Sequence, residues 1–92
     1  MAVNSWTKRS PRTSSQGRLG PYRLFFYSAD RHEPRHVHVE RDDARAKLWL
    51  DPVRLARSSG FGPAELRDIE RIVDERAPFL LEKWDEYFRV AN

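Results

Sequence analysis

From His36 to Asp51 the chain alternates polar and apolar residues on both sides of Asp42-Asp43, and that pattern admits few folds. Strand side chains have a period of two, so Val37 and Val39 share one face while His36, His38 and Glu40 share the other. After the break, Ala46, Leu48 and Leu50 alternate with Arg45, Lys47, Trp49 and Asp51. A two-residue loop at 42 and 43 pairs 39 with 46 and 37 with 48, which collects every aliphatic side chain on one face. The same register sets Glu40 against Arg45, His38 against Lys47 and His36 against Trp49. A slip of one residue buries the charges, so the hairpin is strongly specified.

Tyr22-Arg23-Leu24-Phe25-Phe26-Tyr27-Ser28 has the aromatic density of a further strand, and Ala29 to Arg35, with Asp30, Glu33 and Pro34, reads as the loop between. Val53 to Ser59 is a short fourth strand or an irregular edge, and Ser58-Ser59-Gly60-Phe61-Gly62 is a connector. A helix begins near Pro63, with Glu65 at the positive end of its dipole. Leu66, Ile69, Val73, Ala77, Leu80, Trp84 and Tyr87 recur every three or four residues and keep phase through Pro78. A kinked continuous helix is expected, with a break near Arg76 as the alternative. Phe79, Trp84, Tyr87 and Phe88 are its expected core aromatics. The predicted fold is α+β: a small antiparallel sheet of three to four strands, with the helical arm on its aliphatic face and the histidine face uncovered.

Ninety-two residues suffice for one small core. The chain has no cysteine, which removes disulfides, thiolate nucleophiles and thiolate metal sites. No apolar run approaches the roughly 20 residues of a membrane span, so a soluble, cytoplasmic protein is expected. Lys8, Arg9, Arg12, Arg18 and Arg23 give the first 23 residues +5 with no acid, and the remainder sums to −2. Residues 1–20 hold few large apolar side chains and read as a flexible basic arm suited to phosphates or an acidic partner; 21–90 form the domain.

All three histidines fall between 32 and 38. Histidine ionises near neutral pH and is the commonest metal ligand, so chemistry is sought there. His36 and His38 project from one side of a strand roughly 6–7 Å apart, close enough to bracket a phosphate or share an ion. In an acid–base reading, His36, His38, Glu33 and Lys47 are the candidate catalytic groups. Arg31, Arg35, Glu40 and Trp49 are the candidate binding groups, and exposed Phe25 or Tyr27 adds a stacking surface for RNA bases. Asp51 and Arg54 adjoin the sheet end. A metal held by His36, His38 and a carboxylate of Asp30, Glu33 or Glu40 is the minor alternative, opposed by the ammonium of Lys47; the expected cofactor set is none. His32 is a loop residue without required geometry. Phosphate loops, GxSxG elbows and Cys-His pairs are absent from the sequence.

The run Ser28-Ala29-Asp30-Arg31-His32-Glu33-Pro34-Arg35-His36-Val37-His38-Val39-Glu40-Arg41-Asp42, followed by Lys47-Leu48-Trp49-Leu50-Asp51-Pro52-Val53, closely resembles the bacterial domain-of-unknown-function family numbered 4160. Gly60-Phe61, Glu65-Leu66, Ile69 and Leu81-Glu82-Lys83-Trp84-Asp85-Glu86-Tyr87-Phe88 extend the resemblance over about residues 18–89. It implies Arg31, Glu33, His36, His38 and Lys47 as the family's polar positions. It also implies a toxin-like component of a two-protein, toxin–antitoxin-type module, with a small partner of the family numbered 2442. Arg35, where many members carry a second proline, and the long basic arm depart from the pattern. A ribonuclease-like action on RNA is the leading expectation. The alternative is a non-catalytic module that docks a small DNA-binding partner through its sheet face or edge.

Overall fold

The computed structural model describes residues 13–91, a five-stranded antiparallel meander followed by one helix. The strands are β1 (Thr13–Leu19), β2 (Tyr22–Tyr27), β3 (His36–Arg41), β4 (Ala44–Leu50) and β5 (Val53–Ser59), and they lie side by side in chain order. A one-turn 3₁₀ helix, Ser28–Asp30, opens the loop between β2 and β3, and helix α1 runs from Pro63 to Ala91.

The central hairpin has the expected register, with Val39 opposite Ala46, Val37 opposite Leu48, His38 opposite Lys47 and His36 opposite Trp49. Its turn is closed by Asp42 at φ 55, a left-handed conformation that Asp tolerates because its short side chain can bond locally. Leu24 and Phe26 of β2 join Val37, Val39, Ala46, Leu48 and Leu50 on one face. Against them pack Ile69, Val73, Leu80, Trp84 and Phe88 of α1, whose spacing of three and four holds one stripe toward the sheet.

Three features decide or correct the sequence expectation. The sheet has five strands because residues 13–19, which composition places in the arm, pair with β2 through backbone hydrogen bonds that need no apolar side chains. Gly20 at φ 62 turns this hairpin and Gly17 at φ 107 lies at its bulge, conformations that favour glycine. Residues 1–12 of the expected arm lie outside the described residues. Second, α1 is one continuous helix with Pro78 inside it, as expected in preference to a break near Arg76; the proline ring is exposed, and the stripe stays in phase on either side. Third, Phe79 is 45% exposed, unlike buried Trp84 and Phe88 and half-buried Tyr87. Two residues beyond Ala77, it sits about 200° round the helix from that core position.

The helix N-terminus is fastened to the sheet by Glu65. Arg41 donates to it through Nε and Nη2, both at 2.8 Å, and the Tyr22 hydroxyl donates at 2.7 Å. Arg41 holds the Glu65 carboxyl below its ordinary range, with Tyr22 assisting, and burial pushes the Tyr22 phenol up. No described helix is long and apolar enough to cross a membrane.

Candidate functional site

The sheet face turned away from α1 carries three cross-strand rows. Arg18, Arg23, Glu40, Arg45 and Ser59 form one; Phe25, His38, Lys47 and Arg57 the next; His36, Trp49 and Arg54 the third. Antiparallel partners project from the same side, so register alone brings these residues together.

This face is partly covered, which corrects the expectation of an open histidine surface. The loop from Ser28 to Arg35 folds back over β3, stabilised by the Glu33 N–H donating to the Asp30 carbonyl at 2.9 Å. It delivers two carboxylates. Asp30 Oδ2 lies 2.8 Å from Nε2 of His36 and 2.8 Å from Nε2 of His38. Glu33 Oε1 accepts from Lys47 Nζ at 2.6 Å. His36 is 0% exposed and Lys47 8%. Arg35 ties the end of the loop to Asp85 of α1 at 3.1 Å and to Asp51 at 3.3 Å.

Aromatic rings complete the enclosure. Trp84 and Trp49 flank the His36 ring at centroid distances of 5.0 and 5.5 Å, and Phe25 stacks on His38 at 5.5 Å with Tyr27 at its edge. Phe25 is itself 2% exposed, beneath the guanidinium of Arg23 at 4.2 Å. It is therefore a wall of the cluster, and the expectation that it offers a free stacking surface does not hold. Trp49 stays half-buried with Lys47 Nζ 4.7 Å from its ring, and Tyr27 is also half-buried. Among the described residues no buried side-chain polar atom lacks a partner.

Electrostatics follow from this packing. Burial alone would raise the Asp30 carboxyl, but the hydrogen bonds with His36 and His38 hold it well below the usual carboxylate range. Burial pushes the His38 imidazole down, against the pull of Asp30. His36 Nδ1 lies 2.8 Å from the Pro34 carbonyl oxygen, so that nitrogen carries a hydrogen and the ring orientation is fixed.

Of the residues nominated from sequence, Glu33, His36, His38 and Lys47 do meet in one cluster. Glu40 is held apart, between Arg23 at 2.9 Å and Arg45 at 3.3 Å. Arg35 is committed to Asp51 and Asp85, and Arg31 and His32 are exposed on the loop. The residue at the centre of the cluster, Asp30, enters the sequence reading only as one of three carboxylates for a metal. Its signal is its place: a carboxylate three residues beyond a strand end, with a proline-containing loop to return it over two histidines spaced i, i+2.

Residues 22–85 match the family described as Domain of unknown function (DUF4160), and the chain belongs to that family. The matched span holds the whole His–Asp–Lys–Glu cluster. No curated protein and no solved structure matches the chain.

Proposed function

We propose that this member of the DUF4160 family engages RNA across the sheet face opposite α1, as the toxin-like component of a bacterial two-protein module. The observation that carries the reading is the basic character of that face. Arg18, Arg23 and Arg45 lie in one row, and Arg57 and Arg54 stand beside Lys47 and Trp49 in the next two. Asp30, Glu33 and Glu40 are the acids among them, and each of these already pairs with a histidine, lysine or arginine of the face. On the other layer, α1 carries 8 acidic against 5 basic residues. A phosphate backbone is thus drawn to the sheet and turned away from the helix. Half-buried Trp49, between Lys47 and Arg54, supplies an aromatic surface on which an unpaired base would stack.

Within this reading the members of the cluster have unequal roles. His36 is sealed and positions Asp30 and His38; it does not touch RNA. Lys47 is spent on Glu33. The groups that meet the ligand are Trp49, Arg54 and Arg57, with the outer edge of Glu33 beside them. The second protein of the module has a separate place to dock: among the described residues, edge strand β5 pairs with β4 on one side only, and its residues 56–59 are exposed. A partner strand would add there, leaving the basic face to RNA or covering it.

Inducible expression in a bacterial host lacking the partner tests the proposal. The wild type is expected to slow growth, and Arg54→Glu/Arg57→Glu is expected to relieve the defect while remaining folded by circular dichroism. Equal growth inhibition by both forms, or none by the wild type, counts against it.

A further inference from the structure

The arrangement of lone pairs around Asp30 poses a chemical problem that the RNA reading leaves unsolved. His36 Nδ1 faces the Pro34 carbonyl at 2.8 Å and carries a hydrogen. In the neutral ring Nε2 is then an acceptor, yet it lies 2.8 Å from Asp30 Oδ2, also an acceptor. Two acceptors at that distance repel unless a positive centre sits between them. The same oxygen is 2.8 Å from His38 Nε2, so a single centre would serve all three.

We infer that Asp30, His36 and His38 form a binding site for one divalent first-row transition-metal ion such as Zn²⁺ or Co²⁺. Their donor atoms all lie within 4.8 Å of one another. Around a tetrahedral ion, two ligand atoms each about 2.0–2.1 Å from the metal stand about 3.3 Å apart, so an ion would open the 2.8 Å separations of Oδ2 from the two Nε2 atoms by about 0.5 Å. Two imidazoles and one carboxylate suit a transition ion better than calcium or magnesium, which take oxygen ligands. The Nδ1–H bond to Pro34 is the supporting contact that fixes a metal-binding imidazole with Nε2 toward the ion.

The surroundings agree. The ammonium of Lys47, the sequence-level objection to a cation here, is neutralised by Glu33 at 2.6 Å. Trp84 and Trp49 close the His36 side, while the side chains of Asp30 and His38 keep 17% and 14% exposure, an entry path for an ion. This site does not depend on RNA binding, and its test does not read RNA.

The full chain, produced without a histidine tag, is treated with chelator, dialysed and titrated with Co²⁺ and, separately, Zn²⁺. Visible absorption of Co²⁺ should saturate at one ion per chain, and Zn²⁺ should raise Tm. His38→Gln, which preserves size and polarity, should weaken binding by at least the roughly 10- to 100-fold that loss of a supporting partner costs; Asp30→Asn should do the same. The inference is overturned if millimolar metal gives neither signal in the wild type, or if His38→Gln binds as well. It is equally overturned if nitrogen NMR finds hydrogens on both His36 ring nitrogens in the presence of excess Zn²⁺, since a proton would then be the positive centre.

Discussion

Lys47 Nζ and Glu33 Oε1 lie 2.6 Å apart, joining the middle of β4 to the loop that covers it. The lysine side chain is only a tenth exposed, whereas the glutamate keeps nearly half its surface in water. Removing the glutamate therefore strands an ammonium in a largely desolvated place. Glu33→Ala should destabilise the fold by about 1–3 kcal/mol, less than a wholly buried pair because solvent screens the exposed partner. The double variant Glu33→Ala/Lys47→Met should recover most of that loss, since an apolar chain of similar length needs no counter-charge. Urea unfolding of the three proteins checks both statements; a Glu33→Ala midpoint equal to wild type would contradict them.

Trp84 carries a second prediction, set against Phe79 five residues before it. Trp84 is 5% exposed and touches Phe26, His36 and Phe88, with centroids 5.3, 5.0 and 4.3 Å away. Trp84→Ala should cost about 3–5 kcal/mol, the range for a buried large aromatic. Phe79→Ala, at an exposed position, should fall within about 0.5 kcal/mol of wild type. Thermal or urea denaturation distinguishes them, and similar losses for the two would mean that α1 is rotated from the packing described.

Those two residues also mark what the sequence could and could not convey. The hairpin from His36 to Leu50 was legible down to its residue pairs, because alternation and a two-residue loop leave one register that buries aliphatics. The face of α1 is legible for Trp84 because it lies on the stripe; for Phe79 aromatic character points to the core while its angle on the helix points to solvent, and the angle decides. Strand β1 was illegible since Thr13-Ser14-Ser15-Gln16-Gly17 has no apolar alternation, and backbone pairing leaves no mark on composition. The cover over His36 was illegible for a different reason. Where Asp30 lands depends on the path of an eight-residue loop, and residue spacing alone does not determine that path.

Acid should loosen the tie between α1 and the sheet. Glu65 is held below its ordinary value first by Arg41 and then by Tyr22. A carboxyl depressed in the folded state contributes stability that is complete above its unfolded value, about 4.3, and is lost as pH falls below it toward the folded value. The stability difference between wild type and Glu65→Gln should accordingly be constant around neutrality and close as pH drops below that range. Denaturation midpoints measured from pH 7 downward give the curve. A difference that widens in acid would contradict the ion pair's role.

The central claim, that the basic sheet face binds RNA, is tested most directly by fluorescence anisotropy with a single-stranded RNA oligonucleotide over a series of salt concentrations. Affinity should fall linearly on a log–log plot, with a slope of about 0.7 for each phosphate contact. Arg54→Ala/Arg57→Ala should make that slope shallower by about 1.4, while Arg67→Ala/Arg71→Ala, on the exposed side of α1, should leave it unchanged. A slope reduced in the first variant and kept in the second is the result predicted. No binding by the wild type, or equal slopes in all three proteins, would contradict it.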